Sequence, residues 1–395
     1  MRCSVIDPVE LTQKLIRCES ITPQDKGAQK VMAEPLEAMG FKISWLPFVE
    51  EKTELVENFF ARLGTKDRKS GGKHLCYMGH TDVVPVGRMD DWTYPPFAAE
   101  IHDGKLYGRG ASDMKSANAA FVVAAQRFQG DHPDFVKDDI GSISLLITGD
   151  EEGLSVNGTI KVVDWLKRHD QLPDVALVGE PSNADYMGQR IQVGRRGSWN
   201  GKLRVQGIQG HSAYPEKADN PVPKMVEMLH KLAQHKLDEG NEFFPPSHLV
   251  LASVDVGNNA FNIIPARVEA MVNIRYNSLW TRETLESHVR SLLDECGYAY
   301  ELESWSYYQS FLVKDTEWRD LVAGVVQEAS GHKPIFNTAG GASDACHISP
   351  YCPVVEYGVT NATIHKVDEH VEVKDIEELT ETYRLILEKF FYPHP

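Results

Sequence analysis

The stretch "SISLLITGDEEG", residues 142–153, decides how the chain is read. An apolar run of strand length stops at Asp150, Glu151 and Glu152, and a glycine follows. Unbroken apolar strands belong to sheets covered on both faces, which are mostly parallel. Three adjacent negative charges repel each other, and nothing basic stands nearby in sequence. In open α/β sheets the carboxyl ends of strands form the ligand crevice, so charge placed there has a chemical task.

Outward from this stretch, strand and helix signals alternate. "DPVELTQKLIRC" starts a helix with Asp7 as N-cap and Pro8 at the first helical position. "HLCYMGHTDVV" and "DVALVG" read as strands, "KSANAAFVVAAQRF" and "TIKVVDWLKRH" as helices. Near residue 197 the pattern changes. "WNGKLRVQGIQG", "HLVLASVDV", "RVEAMVNIRY" and "AYELESWSY" read as strands, and "PKMVEMLHKLAQHKL" and "TRETLESHVRSLLDECG" as helices. From about 312 the first pattern returns with "WRDLVAGVVQEASG", "PVVEYG" and "KDIEELTETYRLILEKFF". The expected fold class is α/β, with a mostly parallel central sheet in a domain over 1–196 and 312–395. An inserted α+β domain of order βαββαβ interrupts it over 197–311.

The bulk numbers agree with a two-domain soluble globular protein. A length of 395 residues exceeds one ordinary domain. A net charge of -16 excludes nonspecific partners such as nucleic acid or an anionic membrane. The start, "MRCSVIDPVELTQKL", has no apolar signal core. The run "AAFVVAA" at 119–125 is too short to span a bilayer. The six cysteines (Cys3, Cys18, Cys76, Cys296, Cys346, Cys352) are scattered and form no C-x-x-C pair. Reduced thiols in the cytoplasm are expected, and zinc held by cysteine is disfavoured.

Five stretches place acids or histidines where an apolar run stops. They are "YMGHTDVV" (His80, Asp82), "GRGASDMK" (Asp113), "ITGDEEG" (Asp150, Glu151, Glu152), "ALVGEPS" (Glu180) and "NATIHKVDEHV" (His365, His370). Taken singly, each has a plain structural reading. Asp113 is a cap for the helix after it, Glu180 before Pro181 a turn residue, and "HKVDEH" a surface charge run. "GRG" at 108–110 matches no phosphate-binding pattern. Cys346 and His347 are adjacent and do not face each other as a nucleophile pair. Together, however, the five stretches fit one sheet edge.

Carboxylates that converge there need positive charge among them. No lysine or arginine cluster matches them, whereas a divalent cation does. Histidines and carboxylates without cysteine favour Zn²⁺, Mn²⁺ or Co²⁺ at a catalytic site. Five ligands exceed one open tetrahedral site; two cations sharing a bridging carboxylate would use them. In extended chain, His80 and Asp82 point to one face, so Asp82 is expected to hold the His80 tautomer. Glu151 and Glu152 point to opposite sides. One is then expected on metal, the other handling protons.

With these strings in place the chain resembles, over essentially its whole length, the co-catalytic zinc metallopeptidase family. That family includes aminoacylases, acetylornithine deacetylases, Glu-specific carboxypeptidases and desuccinylases. The strings "MGHTDVVPVG", "LLITGDEEG", "GIQGHSAYP", "GNEFFPPS" and "TIHKVDEHV" are most similar to the desuccinylase branch. The resemblance implies hydrolysis of the amide of N-succinyl-LL-2,6-diaminopimelate, in lysine and diaminopimelate biosynthesis. It implies two Zn²⁺ per subunit, replaceable by Co²⁺ or Mn²⁺. His80 and Glu180 would hold one, Glu152 and His365 the other, and Asp113 would bridge. Glu151 would be the general base, and Asp82 would orient His80. His211 would reach a neighbouring active site in a homodimer formed through the inserted lid and dimerisation domain. Arg195, Ser198, Tyr214, Asn262, Arg275, Gly341 and Asn361 would line the substrate pocket, where arginine forks suit a substrate with several carboxylates. At "GGASDACH", 340–347, the chain departs from the branch: Ala342 lacks a hydroxyl, and Cys346 stands where an arginine is usual. The alternatives are a deacylase of another N-acyl amino acid such as acetylornithine, a dipeptidase, and a non-catalytic metal-dependent binding protein.

Overall fold

The computed structural model describes residues 5–64, 72–313 and 316–393; Cys3 and His394 lie outside them. The chain divides into two units: Met1–Val193 with Val313–Asn337 and Ser343–Pro395, and Gly194–Leu312 with Thr338–Ala342. The short return of Thr338–Ala342 to the second unit has no local signal in the sequence.

The first unit is organised by an eight-stranded sheet. Its strand order is Lys42–Trp45, Phe59–Gly64, Gly141–Thr148, Lys73–His80, Val175–Val178, Val354–Glu356, Arg190–Gln192, Ile335–Asn337. The inner pairings among Gly141–Thr148, Lys73–His80, Val175–Val178 and Val354–Glu356 are parallel, so these four carboxyl ends lie at one edge. Antiparallel pairs flank them, from Lys42–Trp45 through Phe59–Gly64 to Gly141–Thr148, and between Val354–Glu356 and Arg190–Gln192. Gly141–Thr148 is buried along its whole length, as its unbroken apolar run requires.

Helix Pro8–Ile16 starts as its caps dictate, with Asp7 Oδ1 accepting from Val9 N at 2.7 Å and Glu10 N at 3.0 Å. The Ala-rich helix Ser116–Asp131 packs against the final helix Val373–Phe391. Small alanines let the two approach closely, and Phe121 and Phe128 fill the remaining space in the core. Helix Ala28–Ala38 runs through Pro35.

The second unit is a four-stranded antiparallel sheet of order His248–Asp255, Arg267–Tyr276, Gly197–Gln206, Glu301–Tyr308. Helices Pro221–Gln234 and Arg282–Asp294 complete the expected strand-helix-strand-strand-helix-strand order. Along Arg267–Tyr276 every second residue is buried, from Val268 to Tyr276. These side chains join Trp199, Leu203, Met225, Met228 and Leu285 in one core. The alternation arises because one sheet face carries helices and the other does not. The edge strand His248–Asp255 leaves Val250, Leu251 and Val254 exposed.

Candidate active site

Strand Lys73–His80 delivers His80 to the sheet edge almost fully buried. Asn118, on the Ala-rich helix, donates from Nδ2 to the His80 carbonyl at 2.6 Å and accepts from Tyr77 Oη at 3.0 Å. Gly79 is required here, since a Cβ would stand 2.2 Å from Asn118 Oδ1. His80 Nε2 lies 3.2 Å from Asp113 Oδ1 and 3.5 Å from Glu180 Oε1. Asp113 then turns its other oxygen elsewhere: Oδ2 is 3.4 Å from His365 Nε2. The same His365 nitrogen lies 2.8 Å from Glu152 Oε1. One carboxylate thus stands between two imidazoles, each of which meets a second carboxylate.

Asp82 serves this edge differently from the expectation. The group at His80 Nδ1 is the Asp82 backbone oxygen at 2.9 Å, while the carboxylate lies 3.6 Å away. That carboxylate accepts from the backbone amides of Glu151 at 3.3 Å and Glu152 at 3.0 Å. It therefore ties the His80 strand end to the acidic turn. Asp150 closes the same turn, with Oδ2 accepting from Val156 N at 3.0 Å and Asn157 N at 2.9 Å.

The electrostatics follow from buried carboxylates seeking positive charge. Burial alone would lower the His80 pKa, but Asp113 and Glu180 outweigh it and push it well up. Asp113 and Glu152 raise His365 to about 10. Burial works against ionisation of Asp113, yet the two histidines hold its carboxyl low. Glu151 goes the other way: burial, then the Glu180 charge, push its carboxyl well above the ordinary range. Burial also raises Asp82 to about 6.

The donor chemistry fits divalent cations. Ligand atoms of His80, Asp113 and Glu152, and separately of His80, Glu151 and Glu180, lie within 4.8 Å of one another. The two triplets share His80, and His365, 3.4 Å from Asp113 and 2.8 Å from Glu152, joins them, so the structure brings together all the expected metal residues and Glu151. A family model described as "Peptidase family M20/M25/M40" matches residues 76–389. The chain belongs to this family. A relative named succinyl-diaminopimelate desuccinylase from Rhodospirillum centenum is 50% identical over 98% of this chain and 97% of its own length. One of the same name from Parvibaculum lavamentivorans is 47% identical over 98% of this chain and 96% of its own. Among solved structures, the M20 metallo-carboxypeptidase Sso-CP2 from Sulfolobus solfataricus matches with TM-score 0.78 at 17% identity, covering 98% of this chain and 99% of that one. The Bacillus subtilis YXEP protein, titled a dinuclear metal binding peptidase of the family, has TM-score 0.72 at 14% identity, covering 98% of each chain.

Most substrate-pocket residues expected in this family lie in the second unit. Ser198 and Arg275 face each other in register on neighbouring strands. Arg195 is buried, and its Nη1 lies 3.5 Å from the Gly341 carbonyl. Burial holds the Arg275 pKa below its usual value, and burial with Arg275 does the same to Arg196. His211 and Tyr214 are exposed with ring centroids 5.8 Å apart, and the Asn262 carbonyl accepts from Ser212 N at 3.0 Å. Asn361 lies in the first unit, its amide donating to Asn183 O at 2.7 Å. Cys346 is buried in the short helix Ala345–Ile348.

Two residues at the metal edge escape sequence reading: Asn118 and Glu369. Asn118 sits in an apolar helix with no motif around it. Glu369 sits in "HKVDEH", where it looks like one more surface charge; it is fully buried.

Proposed function

We propose that the chain hydrolyses the amide of N-succinyl-LL-2,6-diaminopimelate to succinate and LL-2,6-diaminopimelate, in lysine and diaminopimelate biosynthesis. The observation that carries the reading is the match to desuccinylases, at 42–50% identity over nearly the whole chain. The double cluster centred on Asp113 supports it chemically.

In this reading His80 and Glu180 would hold one Zn²⁺, Glu152 and His365 would hold a second, and Asp113 would serve both; Co²⁺ or Mn²⁺ would replace them. Bound there, the cations supply Lewis acidity and lower the pKa of water towards ~7. Glu151 takes the proton of the attacking water as its oxygen bonds to the succinyl carbonyl carbon. It then gives that proton to the amine nitrogen as the C–N bond breaks. A carboxyl already pushed upward by burial suits both halves of this exchange. Asp82 fixes the backbone of Glu151 and Glu152 and, through its carbonyl, the His80 ring.

Arg195 and Arg275, with Ser198, Tyr214, Asn262, Gly341 and Asn361, are the groups we assign to substrate. Two guanidinium forks suit a substrate bearing several carboxylates. His211 is assigned to the oxyanion, donated from a second copy of the chain. A homodimer formed through the second unit is supported by the exposed apolar edge strand His248–Asp255. The cytoplasm is the proposed compartment, in line with the free thiols of Cys18, Cys76, Cys296, Cys346 and Cys352. Among the described residues no helix is long and apolar enough to cross a membrane.

The test compares kcat/KM for succinyl-diaminopimelate and acetylornithine on pure, metal-loaded protein. A preference of about a hundredfold or more for the succinyl substrate is expected, since a site built for charged groups rejects analogues lacking them. Equal values, or a preference for acetylornithine, would overturn the substrate assignment and leave the metal chemistry standing.

A further inference from the structure

We infer that Glu369 is a positioning residue for Asp113, locking the bridging carboxylate and the His365 loop into one rigid arrangement. The inference rests on the two-cation reading above and adds a residue to it.

The observation is a buried carboxylate in a cage of donors. Glu369 is fully buried, and so is its partner Arg109, whose Nη1 donates to Glu369 Oε2 at 2.7 Å. Oε2 also accepts from Gly110 N at 3.0 Å. Oε1 accepts from Ser112 N at 3.0 Å and from Asp113 N at 3.1 Å. A further tie runs between backbones, from Gly108 N to the Glu369 carbonyl at 2.9 Å. Every one of these donors belongs to the segment Gly108–Asp113.

That segment needs such a partner. Gly110 has a left-handed φ of 82°, and Asp113 has non-helical angles of φ -117° and ψ 97°. Regular helix cannot satisfy its amides, and buried amides without acceptors are costly. Glu369 supplies acceptors for three of them, the last being the amide of Asp113 itself. The carboxylate that would bridge the cations is therefore anchored at its own backbone.

The other end of the link is as short. His365 lies four residues before Glu369, in a loop closed at its base by Thr363 and His370. There Thr363 Oγ1 donates to the His370 carbonyl at 2.8 Å, and His370 N donates to Thr363 Oγ1 at 3.2 Å. His365 and Asp368 both take left-handed φ values, 60° and 55°, which fold the loop tightly. Strand His370–Glu372 then pairs with Lys105–Tyr107, just before the Asp113 segment. Glu369 thus sits at the crossing of the two loops whose side chains meet at 3.4 Å, His365 Nε2 to Asp113 Oδ2. Groups that orient metal ligands in this way tune affinity strongly.

The test uses Glu369→Gln in the full chain, which keeps the volume and one acceptor but turns an NH₂ towards amide donors. Apo protein is titrated with Co²⁺ against a chromophoric chelator, and the visible spectrum of the Co²⁺ form is recorded. A 10–100-fold loss of affinity for at least one ion is expected, with a changed spectrum and wild-type far-UV circular dichroism. Arg62→Met is the control for instability alone. Arg62 is buried, and its Nη2 donates to Ser142 Oγ at 2.8 Å, at the opposite end of the strand that leads to the acidic turn. It should lower the melting temperature and leave Co²⁺ affinity unchanged. Wild-type affinity and spectrum in Glu369→Gln, or an equal loss in Arg62→Met, would overturn the inference. If Glu369→Gln does not fold, Arg109→Gln decides: a threefold or larger loss supports the role, and no loss overturns it. Wild-type protein that takes up no Co²⁺ at all would overturn the metal reading as well, which separates the two failures.

Discussion

Gly358→Ala tests whether the metal edge is held by close backbone packing. Gly358 follows strand Val354–Glu356, and a Cβ there would stand 2.4 Å from the Gly179 carbonyl oxygen and 2.5 Å from that of Glu180. Real Cβ atoms need at least 3.0 Å, so the contacts fall short by 0.6 and 0.5 Å. Both obstacles are backbone and cannot rotate away. The segment is also tied from both sides: Tyr357 N donates to Val178 O at 2.9 Å, and Asn183 Nδ2 donates to Gly358 O at 2.8 Å. Relief must come from shifting the Gly179–Glu180 peptide, and the Glu180 carboxylate moves with it.

A shift of about half an ångström is large for a metal ligand, whose distances hold within roughly 0.2 Å. Overpacking of this kind costs about 1–3 kcal/mol in stability. The expected result is therefore a double loss: a lower melting temperature and a tenfold or greater drop in affinity for the ion that His80 and Glu180 are proposed to hold. Competition titration with Co²⁺ reads the second, calorimetry the first. Gly324→Ala is the matched control. It lies in helix Thr316–Ser330 with nothing within 4 Å of the added Cβ, and should gain up to about 1 kcal/mol. Gly358→Ala protein that binds two ions as tightly as wild type would refute the argument that Glu180 is placed by this contact.

Glu151→Gln should keep both cations and lower kcat by about 10²–10⁴-fold; substantial turnover with full metal content would remove Glu151 from proton transfer. Glu152→Ala deprives His365 of its 2.8 Å partner, and metal analysis should find occupancy falling from two ions towards one. Arg275→Gln should raise KM for the succinyl substrate at least tenfold with little change in metal content, as loss of a charged hydrogen bond to substrate requires; an unchanged KM would take Arg275 out of the pocket. Asp375→Asn should stabilise the protein in a pH-dependent way. Burial raises the Asp375 carboxyl from 3.8 to about 6, so the folded state binds its proton more tightly than the unfolded chain. Its penalty is absent below about pH 4, grows through the interval up to 6 and is complete above it. After discounting for partial solvent access, the variant should gain roughly 1–2 kcal/mol at pH 8 and little at pH 4; equal gains at both pH values would refute this.

Much of this was legible because local rules agree with the global fold. Asp7 and Pro8 mark a helix start whatever the rest of the chain does. The unbroken run in 141–148 demands a doubly covered strand, and that alone puts Glu151 and Glu152 at the crevice edge. What stayed illegible depends on distant partners. Periodicity says which side of an element is buried, but not which far amide a carboxylate will meet. Glu369 looks like a member of a charged surface run until Gly110, Ser112 and Asp113 are folded around it. Asn118 is one polar residue in an apolar helix, and the His80 carbonyl and the Tyr77 hydroxyl explain it. Strand alternation reads Asp82 as the group at the His80 ring. Alternation fixed its side correctly but left out the two amides that compete for its oxygens.

Those two amides also explain how three adjacent acids avoid a common fate. Asp150 is spent on Val156 N and Asn157 N, which fold the turn back on itself. Asp82 then grips the next two amides, so Glu151 and Glu152 cannot turn together towards one ion. Glu152 Oε1 reaches His365 Nε2 at 2.8 Å, the partner expected of a second ligand at the same ion. Glu151 stays among Glu180 and other acids, where burial and their charge push its carboxyl upward. Adjacent in sequence, the two glutamates are given different neighbours by the turn alone. A cation bound beside them would relieve the repulsion at both and leave the difference in neighbours, because Asp82 holds their backbones in place. In the proposed reading, division of labour between ligand and base is therefore a property of the turn, set before any substrate arrives.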